Sequence, residues 1–239
     1  MTPLLVSRHT VCTCLGRGLD ATHAALLSGA SGLKPCDFET VELNTWIGEV
    51  AGIDAVSLPA RLSAFDCRNN RLAQLGLETD GFADAVREAI GRLGRRRLGV
   101  FLGTSVSGML QTELAYRRRD PTTGALPTDF HYRETHNSYS LADFVRGYFG
   151  LEGPAAVTST ACSSSAKVFA AAARMMECGL IDAALVGGVD SLCLTTLYGF
   201  SSLELTATEP CRPFDTTRKG ISIGEAAAFA LLERAPASP

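Results

Sequence analysis

In the stretch TSTACSSSAKVFAAAARMMECG, Thr158 to Gly179, one cysteine stands among small residues where a helical pattern begins. Amide groups and the macrodipole at a helix start stabilise negative charge, so a thiol placed there favours the thiolate and can act as a nucleophile. Ala161, Ser163, Ser164 and Ser165 leave room for a substrate, and the serines are suited to capping the helix. The same cysteine also reads as a small hydrophobe filling a core. Position alone leaves both readings open. Cys12, Cys14, Cys36, Cys67, Cys178, Cys193 and Cys211 are scattered without CxxC spacing and are expected to be reduced thiols. Cys12 and Cys14 alternate along a strand and face opposite ways, with no second ligand pair, so no metal site is expected.

The elements that must position Cys162 follow from periodicity. Leu4 to Val11 reads as a first strand, and AALLSGASGLKP as the end of a short helix closed by Gly29 and Gly32 before Pro35. A less regular region runs to about Pro59. Phe82, Val86, Ile90 and Leu93 share one helical face, with Gly94 as the stop, and LGVFLGTS reads as a strand buried on both sides. Arg117 to Asn137 is turn-rich and polar, a long excursion. Leu141, Phe144, Val145, Tyr148 and Phe149 mark a helix that ends at Gly150. GPAAVTSTA then reads as a strand. SSSAKVFAAAARMMECG, with Lys167, Arg174 and Glu177 as its charges, predicts a helix buried nearly all round. IDAALVGGVDSL is a further buried strand, TTLYGFSSLEL a helix, and GISIGEAAAFALLE a last strand. The alternation predicts an α/β layered fold with central helices.

The chain has 239 residues, 46% hydrophobic and 20% charged, enough for one large domain or two small ones. A net charge of -3 gives no global attraction to nucleic acid or an anionic membrane, and the runs Arg95 to Arg97 and Arg117 to Arg119 read as solvated surface. No apolar run is long enough to span a bilayer, and the opening residues lack a signal-peptide pattern. A cytoplasmic location is the expectation.

Three ordered motifs, STACSSS at 159–165, GGVDSLC at 187–193 and CRPFDTTRKGISIGEAAAFALLE at 211–233, resemble the elongating β-ketoacyl-carrier-protein synthases, condensing enzymes of the thiolase-like fold. LGRGLDATHAALLSGASGLKP and SLADFVRGYFGLEGPAAVTSTACSSS are similar to that family's opening and approach segments. The resemblance covers essentially the whole chain. It implies a thiolase-like layered fold, N-terminal half only, with a mixed, mostly parallel sheet and a buried central helix after the nucleophile. It implies that residues 1–239 form one N-terminal domain, the second half of the fold being absent.

It further implies that Cys162 accepts an acyl group from a carrier-protein thioester, and that malonyl-carrier decarboxylation then drives a Claisen condensation, in fatty-acid, polyene or polyketide assembly. The backbone N–H of Cys162 would donate to the oxyanion. By the same resemblance Phe200 lines the acyl pocket, with core packing an equal reading, and Val106 gates the acyl tunnel at a dimer interface. Asp215, Arg218 and Glu225 would form a buried supporting network, and Arg68 and Arg71 would dock the acidic carrier protein. Relatives dimerise by joining sheets, through the strand placed at Ala183 to Val189, which implies a homodimer or a heterodimer with a related synthase. No bound cofactor is implied, since the acyl groups ride on phosphopantetheine.

Two departures stand out. The chain reads GEAAAF where relatives carry a GEGAG-like run. Its four histidines, His9, His23, His131 and His136, lie outside the contexts that supply the family's decarboxylating histidines, and the last two read as exposed or interface residues. A noncatalytic half-fold partner of a complete synthase is therefore a second reading, and a thiol hydrolase using Cys162 with a loop histidine a third.

Overall fold

A computed structural model describes residues 3–235; residues 1–2 and 236–239, the ends of the expected single domain, lie outside the described residues. Strand β1 (Leu4–Thr13) turns through β2 (Gly16–Arg17) into helix α1 (Leu19–Ser28), which Gly29 closes in the left-handed conformation. Short strands β3 (Lys34–Pro35) and β4 (Trp46–Gly48) lead through two 3-10 turns to α2 (Arg68–Leu77) and α3 (Phe82–Leu93). Then come β5 (Leu98–Gly103), α4 (Met109–Arg117), the excursion, α5 (Ser140–Phe149), β6 (Ala155–Thr158) and α6 (Ser164–Glu177). The chain continues with β7 (Ala183–Asp190), α7 (Leu194–Ser202), β8 (Ile223–Gly224) and β9 (Ala226–Arg234).

The main sheet has the order β2-β1-β9-β7-β5-β6. β5 pairs in parallel with β6 and β7, while β9 runs antiparallel to β7 and β1. Strands β1, β5, β6 and β7 therefore point one way, and β9 is inserted against them. A small sheet, β3-β4-β8, sits apart and joins β4 to β8 in parallel.

Successive residues of a strand face opposite sides, which builds two cores from one sheet. Leu98, Val100 and Leu102 of β5 and Ala183, Leu185 and Val189 of β7 pack with α2, α3 and α5, through Leu72, Phe82, Val86, Phe144 and Val145. Phe101, Ala184, Val186, Ala230 and Leu232 face the other way, against Val168, Ala172 and Met176 of α6. A third cluster joins Val106 and Leu110 to Leu194 and Leu197 with Phe38 and Ile47.

Two expectations are corrected. Helix α6 is buried on one face only, through Ser164, Val168, Ala172, Ala173 and Met176, while Phe169 is 40% exposed. The side of α6 that carries Phe169 is turned from the sheet and is exposed. Strand β7 lies inside the sheet between β9 and β5, so both its edges are already paired and it cannot join a second sheet. The sheet ends in the two-residue strand β2 on one side and in β6 on the other.

Candidate active site

Cys162 follows β6 and precedes the first turn of α6. Ala161 has φ of 50°, a left-handed conformation that a residue with a Cβ adopts at a cost. That elbow turns the chain sharply, and the Cys162 side chain is exposed. Ser164 holds the elbow closed: its hydroxyl accepts from the Thr160 N–H at 2.9 Å and donates to the Ala161 carbonyl at 2.7 Å. Ser163 Oγ likewise donates to the Thr160 carbonyl at 3.0 Å. The serines thus tie the turn and do not cap α6, contrary to the expectation; no side-chain cap is made at Ser163. The first amides of the helix keep their partial positive charge, and among the described residues the Cys162 N–H donates to no protein acceptor.

An open pocket of ≈ 440 Å³ adjoins the sulfur, lined by Gly103, Ser165, Gly188, Asp190, Gly224 and Ala226 among others. Its walls come from the carboxyl ends of the parallel strands β5 and β7, the elbow after β6 and the start of β9, and the carboxyl ends of parallel strands are where open α/β sheets bind ligands. Two glycines make this meeting possible. A Cβ on Gly103 would collide with the Ser165 nitrogen, and one on Gly188 with the Ser165 side chain, so the first turn of α6 can rest directly on the strands.

The exit of β7 is held residue by residue. Glu225, its side chain fully buried, accepts the Leu192 N–H at 2.9 Å and the Val50 N–H at 3.0 Å, and takes both arms of Arg68 at 2.9 and 2.7 Å. Arg68 also reaches Glu49 at 2.8 Å and Asp54 at 3.1 Å, and stacks over the Phe38 ring at 5.0 Å. Asn69 Oδ1 accepts the Ser191 N–H at 3.0 Å. Glu113, from α4, accepts the Leu194 and Thr195 amides at 2.9 and 2.7 Å and so caps α7. Asn69 and Glu113 lie in no motif of the sequence, and Asp190, within GGVDSLC, carries no sequence sign of its partners. The available signal was the glycine-bounded ends of two buried strands, LGTS and VGGVDS, which mark where backbone approaches closely.

The other expected residues fall as follows. Glu225 is buried as expected, but its partner is Arg68. Asp215 and Arg218 do not join it: Asp215 accepts the N–H and hydroxyl of Thr217, which hold its carboxyl below the usual value, and the exposed Arg218 donates to the Asp215 carbonyl. The expected buried network of three is therefore one buried pair and one surface turn. Arg68, 7% exposed and spent on three carboxylates, is removed from any docking surface. Arg71 is engaged by both oxygens of Asp66 at 2.6 and 2.7 Å and is no free cation. Val106 is buried in the third cluster, 7% exposed. Phe200 is half-buried on α7 and does not line the Cys162 pocket. His131 is exposed, and His136 Nδ1 lies 2.6 Å from the Thr112 hydroxyl with its ring stacked on Tyr132. No histidine lines the pocket among the described residues. The same residues form no cluster suited to a metal ion, and none of their helices is long and apolar enough to cross a membrane.

Residues 68–237 match the family profile described as Beta-ketoacyl synthase, N-terminal domain. Nodulation protein E of Rhizobium meliloti is 34% identical over 138 residues, 57% of this chain and 34% of that protein. The structure of the ketosynthase ApeO in complex with its chain length factor ApeC, from Xenorhabdus doucetiae, superposes with a TM-score of 0.85 at 31% identity. It covers 98% of this chain and 59% of that one. A beta-ketoacyl synthase from Burkholderia phymatum gives a TM-score of 0.82 at 25% identity, covering 98% of this chain and 60% of its own. The chain thus spans well under two thirds of the length of the proteins it matches.

Proposed function

Because the chain belongs to the β-ketoacyl synthase family, of whose fold it forms the N-terminal half, we propose that it is the acyl-accepting half of a condensing enzyme, with Cys162 as the nucleophile. The observation that carries this reading is the placement of an exposed thiol on a strained elbow, at the start of a helix and over an open pocket.

In the first half-reaction the Cys162 thiolate attacks the carbonyl of an acyl thioester carried on the phosphopantetheine of a carrier protein. The Cys162 N–H donates to the oxyanion that forms. Collapse of the tetrahedral species expels the pantetheine thiolate, which takes up a proton, and leaves the acyl group on Sγ. In the second half-reaction malonyl-carrier loses carbon dioxide, the resulting carbanion attacks the acyl-cysteine carbonyl, and the Cys162 thiolate is released. Among the described residues no histidine lines the pocket to act as imidazole or imidazolium in that step, so the proposed condensation draws on groups from elsewhere. The pathway proposed is fatty-acid, polyene or polyketide assembly. No bound cofactor is needed, and the proposed setting is the cytoplasm.

The carrier protein is the proposed partner, and its acidic surface calls for cations that Arg68 and Arg71 do not offer. Arg212, Arg218 and Lys219 are exposed on the loop leading into β8, with Arg212 and Lys219 sharing one carboxylate, Glu209, at 3.5 and 3.7 Å. A dimer, with a second copy or a related synthase, would use the unpaired edge of β6, and Val106 and Phe200 are retained as the residues that would shape the acyl site.

One observation favours the second reading, a half fold that works by pairing with another polypeptide. Phe214 is 99% exposed at φ of 64°, and Leu203, Leu205 and Ile221 are exposed beside it on the loop before β8, as is Phe169 on α6. Apolar surface of this extent is normally covered. Mass spectrometry of carrier-bound products separates the readings. The purified chain with acyl-carrier and malonyl-carrier is expected to give no 3-oxoacyl product alone, and to give it when a polypeptide supplying the other half of the fold is added. If no product forms with that polypeptide while the same mixture is active with a complete synthase, the catalytic reading fails.

A further inference from the structure

Asp190 ends β7 and forms part of the wall of the Cys162 pocket. All four of its described hydrogen bonds go to the turn that follows β5. Oδ1 accepts from the Thr104 hydroxyl at 2.9 Å, the Ser105 N–H at 2.6 Å and the Val106 N–H at 3.0 Å, and Oδ2 accepts from the Ser105 hydroxyl at 2.8 Å. The Thr104 hydroxyl, whose proton is directed at Asp190, accepts in turn from the Ser107 N–H at 2.9 Å.

Ser107 is buried and has φ of 47°. A residue with a side chain persists there only when its surroundings over-determine it. The determinants are visible: the Ser107 hydroxyl lies 3.1 Å from the Thr135 carbonyl and 3.2 Å from the Asn137 carbonyl, sharing its proton between them. The Gly108 N–H donates to the same Thr135 carbonyl at 3.0 Å, and a Cβ on Gly108 would collide with that oxygen. A continuous run of hydrogen bonds, Asp190 to Thr104 to Ser107 to Thr135, therefore links the pocket wall to the far end of the excursion.

We propose that Asp190 is a positioning residue that makes the Cys162 pocket and the excursion one mechanical unit, so that a group attached to Cys162 is felt at Thr135 to Asn137. Asp190 also fixes the backbone of Val106, so the same carboxylate sets the turn on which that side chain stands. The inference rests on the proposed reading only for the identity of the group that Cys162 carries.

The test is hydrogen exchange of the purified chain before and after alkylation with N-ethylmaleimide, with Cys162→Ala treated in parallel to subtract labelling elsewhere. Alkylation at Cys162 is expected to change exchange at Gly108 and at Thr135 to Asn137 by at least about twofold, the low end of couplings carried by contiguous networks. Asp190→Asn keeps an acceptor oxygen toward the two amides and turns its NH₂ to the Ser105 hydroxyl, which can accept; this variant retains the effect. Asp190→Ala, alkylated to the same extent, loses it at Thr135 to Asn137. Should Asp190→Ala fail to fold, Ser107→Ala removes the side-chain links to the Thr135 and Asn137 carbonyls while the Gly108 N–H still holds Thr135, and must lose the effect at Asn137. No change in the wild-type chain, a change that survives Asp190→Ala, or one that survives at Asn137 in Ser107→Ala, overturns the proposal. An alkylating probe needs no acyl transfer, so either outcome leaves the acyl-accepting reading to stand or fall on its own.

Discussion

Cys162 shares its residue type with seven other positions, and its surroundings set it apart. Cys12, Cys67 and Cys193 are buried, and burial pushes the Cys67 thiol up to about 12 and raises Cys193 and Cys14 as well. A thiol so raised is protonated throughout the neutral range and does not attack. Brief treatment with iodoacetamide at about pH 8 is therefore expected to modify the exposed Cys162 and Cys178 and to spare the buried Cys67 and Cys193. Peptide mapping checks this, and labelling of Cys67 at a comparable rate would contradict the packing around α2. The cysteine was legible in the sequence because small residues and a helical pattern flank it directly. Asp190, Asn69 and Glu113 were not, since each acts on a partner more than 80 positions away, a pairing that exists only after the strands have assembled. Arg68 was misread for the same reason: its sequence neighbourhood, CRNNR, is that of a polar surface, and Glu225, 157 positions on, draws it inside.

At the level of elements, periodicity located α3, α5, β5 and β7, whose apolar faces meet one core. Helix α2 escaped it. Its sequence RNNRLAQLGL is polar, yet nine of its ten residues are buried, because Arg68, Asn69, Asn70 and Gln74 find hydrogen-bond partners on other elements. Helix α6 erred in the opposite direction. An almost uncharged helix reads as wholly buried, but its burial depends on how many layers the chain provides, and here one face meets the sheet while the other is open. Truncating each face separates the two. Met176→Ala, in the core against Phe101 and Ile181, is expected to destabilise by ~2–5 kcal/mol. Phe169→Ser, on the open face, is expected to cost much less. Urea denaturation midpoints compare them, and equal losses would show that the open face of α6 is covered in solution.

Over the whole molecule, the class of fold and the placement of Cys162 between a strand and a helix were readable from motif order and local pattern. The direction of β9, its insertion between β1 and β7, and the consequent placement of β7 in the sheet interior were not, since strand order is a property of pairing and not of any segment. The four histidines illustrate the same limit: none reaches the sulfur, and the exposed apolar residues on α6 and before β8 surround the side from which further groups would have to come. Cys162 is therefore proposed to accept the acyl group and to depend on other groups for condensation. The most direct test is the intact mass of the purified chain after exposure to an acyl-carrier thioester, with Cys162→Ala alongside. A mass increase equal to the acyl group on the wild-type chain and none on the variant is the result expected. An unmodified wild-type chain, shown by circular dichroism to be folded, or equal acylation of Cys162→Ala, would contradict the assignment of Cys162 as the acyl acceptor.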